Sequence, residues 1–154
     1  MVQKKISLYL DTSVIGGYYD KEFEQETQML FQNIKDGKFD VFISNLTEEE
    51  LENAPEKVKK LLNDLKYRTI EVSLQCKDLA KEYIRENVVG ETSMDDCIHI
   101  ATATVNNIDL LVSWNFKHIV NFQRIRGYNS INLKNGYKQL DIRSPKEIVY
   151  YEMG

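Results

Sequence analysis

Five short apolar runs punctuate the chain: KISLYL (5–10), FDVFIS (39–44), YRTIEV (67–72), DLLVSW (109–114) and, more weakly, QLDIR (139–143). Their length and their content of β-branched and aromatic residues predict buried strands. Between them the apolar positions change to helical spacing. Over 55–65, Val58, Leu61, Leu62 and Leu65 fall at i, i+3, i+4 and i+7, with Pro55 at the start, where a missing N–H costs nothing. The stretch TQMLFQNIKDG ends on Gly37 as a helix C-terminus should. CKDLAKEYIREN stacks Cys76, Leu79, Ala80, Tyr83 and Ile84 on one side, and MDDCIHIATATVNN stacks Ile98, Ala101 and Val105.

Strands alternating with helices imply right-handed crossovers and a mostly parallel central sheet with helices on both faces, which is an α/β fold. Two prolines, no Gly/Ser-rich tract and no internal repeat leave nothing to mark a linker, so residues 1–154 are expected to form a single domain. A chain of this length buries roughly 70% of the surface its unfolded form exposes, enough for a core without staples. Its two cysteines, Cys76 and Cys97, have neither disulfide-framework nor zinc spacing and read as buried free thiols.

With 42% hydrophobic and 29% charged residues, the composition is that of a globular protein. No apolar run approaches the roughly 20 residues of a membrane span, and MVQKKISLYLD lacks the features of a signal peptide, so a cytoplasmic location and no membrane partner are expected. The net charge of -4 argues against a protein that coats nucleic acid, but it hides an asymmetry. Up to Asp96 there are 13 Lys and Arg against 20 Asp and Glu; from Cys97 onward there are 7 against 4. An acidic segment beside a basic one suits a metal site next to a phosphate-binding surface, and chance gives the same split.

Open α/β sheets bind ligands beyond the carboxyl ends of their strands. The residues there are Asp11, Thr12 and Ser13 after the first strand, Asn45 to Glu50 after the second, and Trp114 and Asn115 after the fourth, while Asp95 and Asp96 open a helix. Each acid also has a local explanation. Asp11 can cap a helix, and Thr47 with Glu50, like Ser93 with Asp96, fits the Ser/Thr-x-x-acid capping box. What separates the two readings is the gathering of acids from distant segments on one rim. Carboxylates so placed repel one another, by roughly 4 kcal/mol at about 4 Å and an effective dielectric of 20. Hard oxygen donors in such a cluster suit Mg²⁺ or Mn²⁺.

LYLDTSVIGG, SNLTEEELENAP, DDCIHIATATVNNIDLLVSWNFKHIVN and NGYKQLDIRSPKEI together resemble the PIN domain family of metal-dependent ribonucleases, which includes the VapC-type toxins of toxin-antitoxin pairs. The likeness extends from about Ile6 to Ile148. It implies an acidic pocket holding Mg²⁺ or Mn²⁺ and hydrolysing RNA to leave a 5'-phosphate and a 3'-hydroxyl. Asp11, Glu50 and Asp96 match the family's metal-binding acids, with Glu49 and Asp95 as neighbours one residue away. A homodimer and an antitoxin protein partner are implied in the same way.

Where the family often carries a fourth acid, this chain has Asn115 in the sequence SWN. Its amide oxygen can ligate or accept a hydrogen bond but adds no charge, which bears on whether a second metal binds, and Asn is equally at home in a turn. Asn115 is therefore both a candidate catalytic residue and a candidate turn residue. Lys117, His118, Arg124 and Arg126 follow closely and suit either a phosphate-binding edge or a solvated face. His99 and His118 read as packing and turn residues, and Trp114 reads as core more readily than as a base-stacking platform. A phospho-acceptor module is excluded by the single Asp after the first strand and by YRTIEVSLQ, which lacks an acceptor Asp. A PIN module that binds RNA or protein without cleaving stands as the rival, supported by Asn115 alone.

Overall fold

The computed structural model describes residues 4–151. Five strands, β1 (Ile6–Leu10), β2 (Phe39–Ser44), β3 (Arg68–Ile70), β4 (Leu110–Val112) and β5 (Asp141–Arg143), form one sheet in the order β3-β2-β1-β4-β5. Every pairing is parallel. All five apolar runs become strands, with β3, β4 and β5 three residues long. Their flanking residues leave the ladder early, which frees Ser113, Trp114 and Asn115 for the rim.

Among the described residues eight α-helices lie between and after the strands: α1 (Thr12–Gly17), α2 (Glu24–Lys35), α3 (Asn45–Leu51), α4 (Glu56–Asn63), α5 (Leu74–Arg85), α6 (Met94–Val105), α7 (Phe122–Lys134) and α8 (Pro145–Tyr151). Gly37, the expected helix stop, has φ +79°, the left-handed conformation that suits glycine beyond a helix end.

The period-two alternation of the strands sends side chains into two separate cores. Leu8 and Leu10 of β1, with Val41 and Ile43 of β2, pack against Leu30 and Phe31 of α2 and Leu61 of α4. Tyr9 faces the other way, with Leu111 and Ile142, toward Leu79 and Tyr83 of α5, Ile100 of α6 and Tyr128 of α7. Cys76 and Cys97 are buried free thiols, as their spacing suggests. Cys97 packs in this second core, and burial, with Asp96 adjacent, pushes its thiol up to about 12, leaving little reactive thiolate.

The strand order reverses direction at β1. β2 and β3 lie on one side of it, and β4 and β5 on the other. A crevice at the carboxyl ends of β1 and β4 follows from that reversal, because the connections leaving the two strands diverge. No helix among the described residues is long and apolar enough to cross a membrane.

Candidate active site

Asp11 continues the ladder past the end of β1, its N–H donating to Val112 O at 3.2 Å. It stands at the cap position of α1, yet its side chain makes no capping bond. The carboxylate instead accepts from Ser13 Oγ at Oδ1 (2.6 Å) and from Ser113 Oγ at Oδ2 (2.8 Å). Those hydroxyls accept in turn from the backbone: Trp114 N–H on Ser13 and Asn115 N–H on Ser113, both at 2.9 Å. The buried acid is thereby held in one orientation, and the ends of β1 and β4 are strapped together. Burial pushes its carboxyl above the usual range, against the pull of His99 and the two serine hydroxyls.

The capping box expected of Thr47 and Glu50 is formed one turn earlier. Ser44 Oγ accepts from Thr47 N–H, and Thr47 Oγ1 accepts from Ser44 N–H. The sequence contains both overlapping pairs, and the helix begins where β2 ends, so Ser44 takes the cap. Glu50 is left without a capping duty. Its Oε1 accepts from Thr12 Oγ1 at 2.8 Å and faces His99 Nε2 at 2.6 Å, while Oε2 receives no hydrogen bond from the described residues. Partial burial opposes its charge, but the His99 contact and the Thr12 bond prevail and hold its carboxyl below the usual range.

Ser93 likewise makes no side-chain cap to α6, so the second expected capping box is absent. Asp96 is half-buried in the first turn of α6, and no described residue donates a hydrogen bond to it. Burial raises its carboxyl, the charge of Asp11 raises it further and Glu50 adds to this, while His118 and His99 act in the opposite direction. Asp96 therefore lies in the field of both other acids. Asp95 and Glu49, the one-residue alternatives, are exposed; Glu50 is exposed too and differs from Glu49 by its contacts with Thr12 and His99.

Asn115 Oδ1 accepts from His118 N–H at 3.0 Å, and the Asn115 carbonyl accepts from Ile119 and Val120. The side chain thus organises the turn after β4, while its own N–H bonds Ser113 beside Asp11. Trp114 is core: it stacks on Phe23 at 4.3 Å between ring centroids, and its Nε1–H donates to Thr27 Oγ1. The basic edge is narrower than expected. Arg124 is partly buried and donates to Val88 O, Arg126 lies 5.8 Å over the Phe122 ring, and Lys117 is exposed. Phe116, half exposed, and the more exposed Phe122 face solvent here.

His99 and His118 hold the packing and turn places expected of them, and each also acts on an acid. His99 is buried, three residues after Asp96 and therefore on the same face of α6, and touches Glu50. That spacing was the available signal. His118 has a buried Nδ1 without a partner among the described residues, and its ring acts on Asp96.

Among the described residues no three acidic, His or Cys side chains converge into a ready-made metal-ligand group. The donor set nevertheless suits a divalent ion. Asp96 is a half-buried carboxylate to which no described residue donates, Glu50 Oε2 receives no hydrogen bond from the described residues, and Asp96 lies in the field of both Asp11 and Glu50. A hard cation coordinating oxygen would relieve the repulsion that raises the Asp96 carboxyl.

The PIN domain family model matches residues 8–116, which takes in all four candidate residues. The chain belongs to the PIN domain family. Two solved structures share this PIN fold. VapBC2 from Rickettsia felis, bound to a DNA fragment from their promoter, aligns with TM-score 0.59 at 17% identity, covering 90% of this chain and 98% of that one. FitAcB from Neisseria gonorrhoeae aligns with TM-score 0.59 at 15% identity over the same shares. No curated protein matches.

Proposed function

We propose that this PIN domain is a divalent-metal-dependent endoribonuclease with Asp11, Glu50 and Asp96 as its metal-binding acids. The observation that carries the reading is the gathering of three acids at one rim, where the capping boxes offered for Glu50 and Asp96 do not form. Ser44 replaces Thr47 as the cap of α3, Ser93 makes no cap bond, and Asp96 lies in the field of both Asp11 and Glu50. Asp11 also straps β1 to β4 through Ser113, but a neutral acceptor would serve that purpose, so the collected charge needs another reason to be there.

Bound Mg²⁺ or Mn²⁺ would supply a water of lowered pKa and polarise the scissile phosphate. The chain's own part is to hold the acids. Ser13 and Ser113 fix both oxygens of Asp11, Thr12 and His99 hold one oxygen of Glu50, and α6 presents Asp96 with its oxygens uncommitted to the described residues. Lys117 and the half-exposed ring of Phe116 lie just beyond Asn115, where they suit a neighbouring phosphate and an unstacked base of a single strand. A cognate antitoxin, a homodimer and a cytoplasmic location belong to the same proposal. They rest on the likeness to VapC-type proteins and on the fold shared with VapBC2.

The test is cleavage of a mixed-sequence single-stranded RNA by the purified protein with Mn²⁺ or with EDTA, beside Asp96→Asn. Cleavage that needs the metal and is lost in the variant supports the proposal. Equal background in every lane overturns it.

One observation favours a binding module without cleavage: Asn115 spends its side-chain oxygen on the His118 N–H. A thermal-shift titration separates the readings. An ion that binds only the folded cluster raises Tm with concentration, and no shift in excess Mn²⁺ favours the binding module.

A further inference from the structure

We propose that His99 is a positioning residue of the metal site, bracing Glu50 from behind with Tyr9 as its own support. This rests on the ribonuclease reading above and adds two residues to it. His99 is buried between two hydrogen-bonding partners, with Nε2 2.6 Å from Glu50 Oε1 and Nδ1 2.6 Å from Tyr9 Oη. Tyr9 Oη donates to Ser44 Oγ at 2.7 Å, and Ser44 caps the helix that carries Glu50. The path therefore runs from the cap of α3, through β1 and α6, back to the side chain on the last turn of α3.

The brace links three elements that each present one acid. Tyr9 is two residues before Asp11 on β1, and His99 is three residues after Asp96 on α6. By holding Oε1, His99 and Thr12 leave Oε2 as the oxygen of Glu50 available to an ion. A flexible glutamate on the last turn of a seven-residue helix would otherwise sample several rotamers, and selecting one lowers the entropy lost when the ion binds. Outer-shell partners of this kind, when removed, typically cost about 10-fold to 100-fold in metal affinity or activity.

The test measures Mn²⁺ binding by calorimetry, without RNA, for wild type, His99→Leu, Tyr9→Phe and His99→Gln. Each substitution is also made in a Glu50→Gln background, and folding of every protein is checked by circular dichroism in EDTA. His99→Leu is expected to weaken Mn²⁺ binding about 10-fold or more, and Tyr9→Phe to weaken it by less. His99→Gln, whose amide can reach Oε1, is expected to recover most of the affinity. With Glu50→Gln already present, none of the three should weaken binding further, which a purely structural role for His99 would not produce. If His99→Leu does not fold, Tyr9→Phe decides the matter, because it removes one hydroxyl at nearly constant volume. Unchanged affinity in the folded variants, or equal losses with and without Glu50, overturns the brace while leaving the metal site standing. Absence of Mn²⁺ binding by wild type overturns both.

Discussion

Gly17 lies against the indole of Trp114 so closely that a Cβ at position 17 would come within 2.9 Å of the ring, and within 3.0 Å of Thr27 Oγ1. That indole is fixed on its other side by Phe23 and through Nε1 by Thr27, so it has little room to give. Gly17→Ala is expected to cost about 1–3 kcal/mol through overpacking, which in a chain of this size lowers Tm by about 2–4 °C per kcal/mol. Gly16, where a Cβ would meet nothing within 4 Å, is the control. Gly16→Ala in the same helix should be neutral or stabilising by up to about 1 kcal/mol. Thermal melts of the two variants side by side check this, and equal losses would contradict it.

Asp96→Asn separates stability from function. The folded-state carboxyl of Asp96 is raised, so its ionisation opposes folding: the contribution to stability is complete below the unfolded value and is lost as pH rises through the folded one. Asp11 acts in the same sense, whereas the depressed Glu50 carboxyl contributes above its unfolded value and loses that contribution as pH falls. In EDTA at neutral pH, Asp96→Asn should therefore raise Tm, with a gain that shrinks as the pH is lowered into the range where carboxyls protonate. The same variant should lose the rise in Tm that Mn²⁺ gives wild type.

Ser113→Ala tests the strap across the crevice. The hydroxyl is buried, donates to Asp11 and accepts the Asn115 N–H, so its removal leaves polar groups at both ends without that partner. A loss of about 1–3 kcal/mol in a denaturant melt is expected, together with weaker Mn²⁺ binding as Asp11 loses one of its two orienting bonds.

Asn115→Asp keeps the acceptor for His118 N–H and adds a negative charge to the rim. It should lower Tm in EDTA through added repulsion at the rim and bind Mn²⁺ more tightly. Asn115→Ala, lacking the acceptor, should lose about 0.5–1.5 kcal/mol. A calorimetric titration in which Asn115→Asp binds Mn²⁺ no better than wild type would show that position 115 serves the turn alone.

Phe116→Ala is expected to weaken binding of single-stranded RNA in EDTA by about 1–3 kcal/mol, the worth of one base stacked on an aromatic ring, while leaving Tm nearly unchanged because the ring is half exposed. Trp114 is the single tryptophan of the chain and sits 6.0 Å from the Phe116 ring, so its fluorescence can report the binding.

The sheet was readable because each strand is an apolar run with polar ends, and the places of Asp11 and Glu50 beyond β1 and β2, and of Asp96 at the start of α6, were readable from the same strand and helix boundaries. Other features escaped for specific reasons. The overlap of Ser44–Thr47 with Thr47–Glu50 leaves the choice of cap to where β2 stops, a tertiary matter. α7 gave no clean stripe because Asn132 occupies a core position, where it bonds Tyr83 and Thr104, and because Gly127 is there to admit Val88. His99 looks like packing until β1 brings Tyr9 under one of its nitrogens and α3 brings Glu50 to the other.

The hydroxyl that secures the second oxygen of Asp11 lies 102 residues further along the chain. Of the two hydroxyls that orient the acid, Ser13 is local and Ser113 arrives only when β4 docks beside β1. A polypeptide interrupted between Asp96 and Ser113 carries all three acids in its sequence without the strap that orders Asp11. The strap thus makes the orientation of Asp11 conditional on the docking of β4 beside β1.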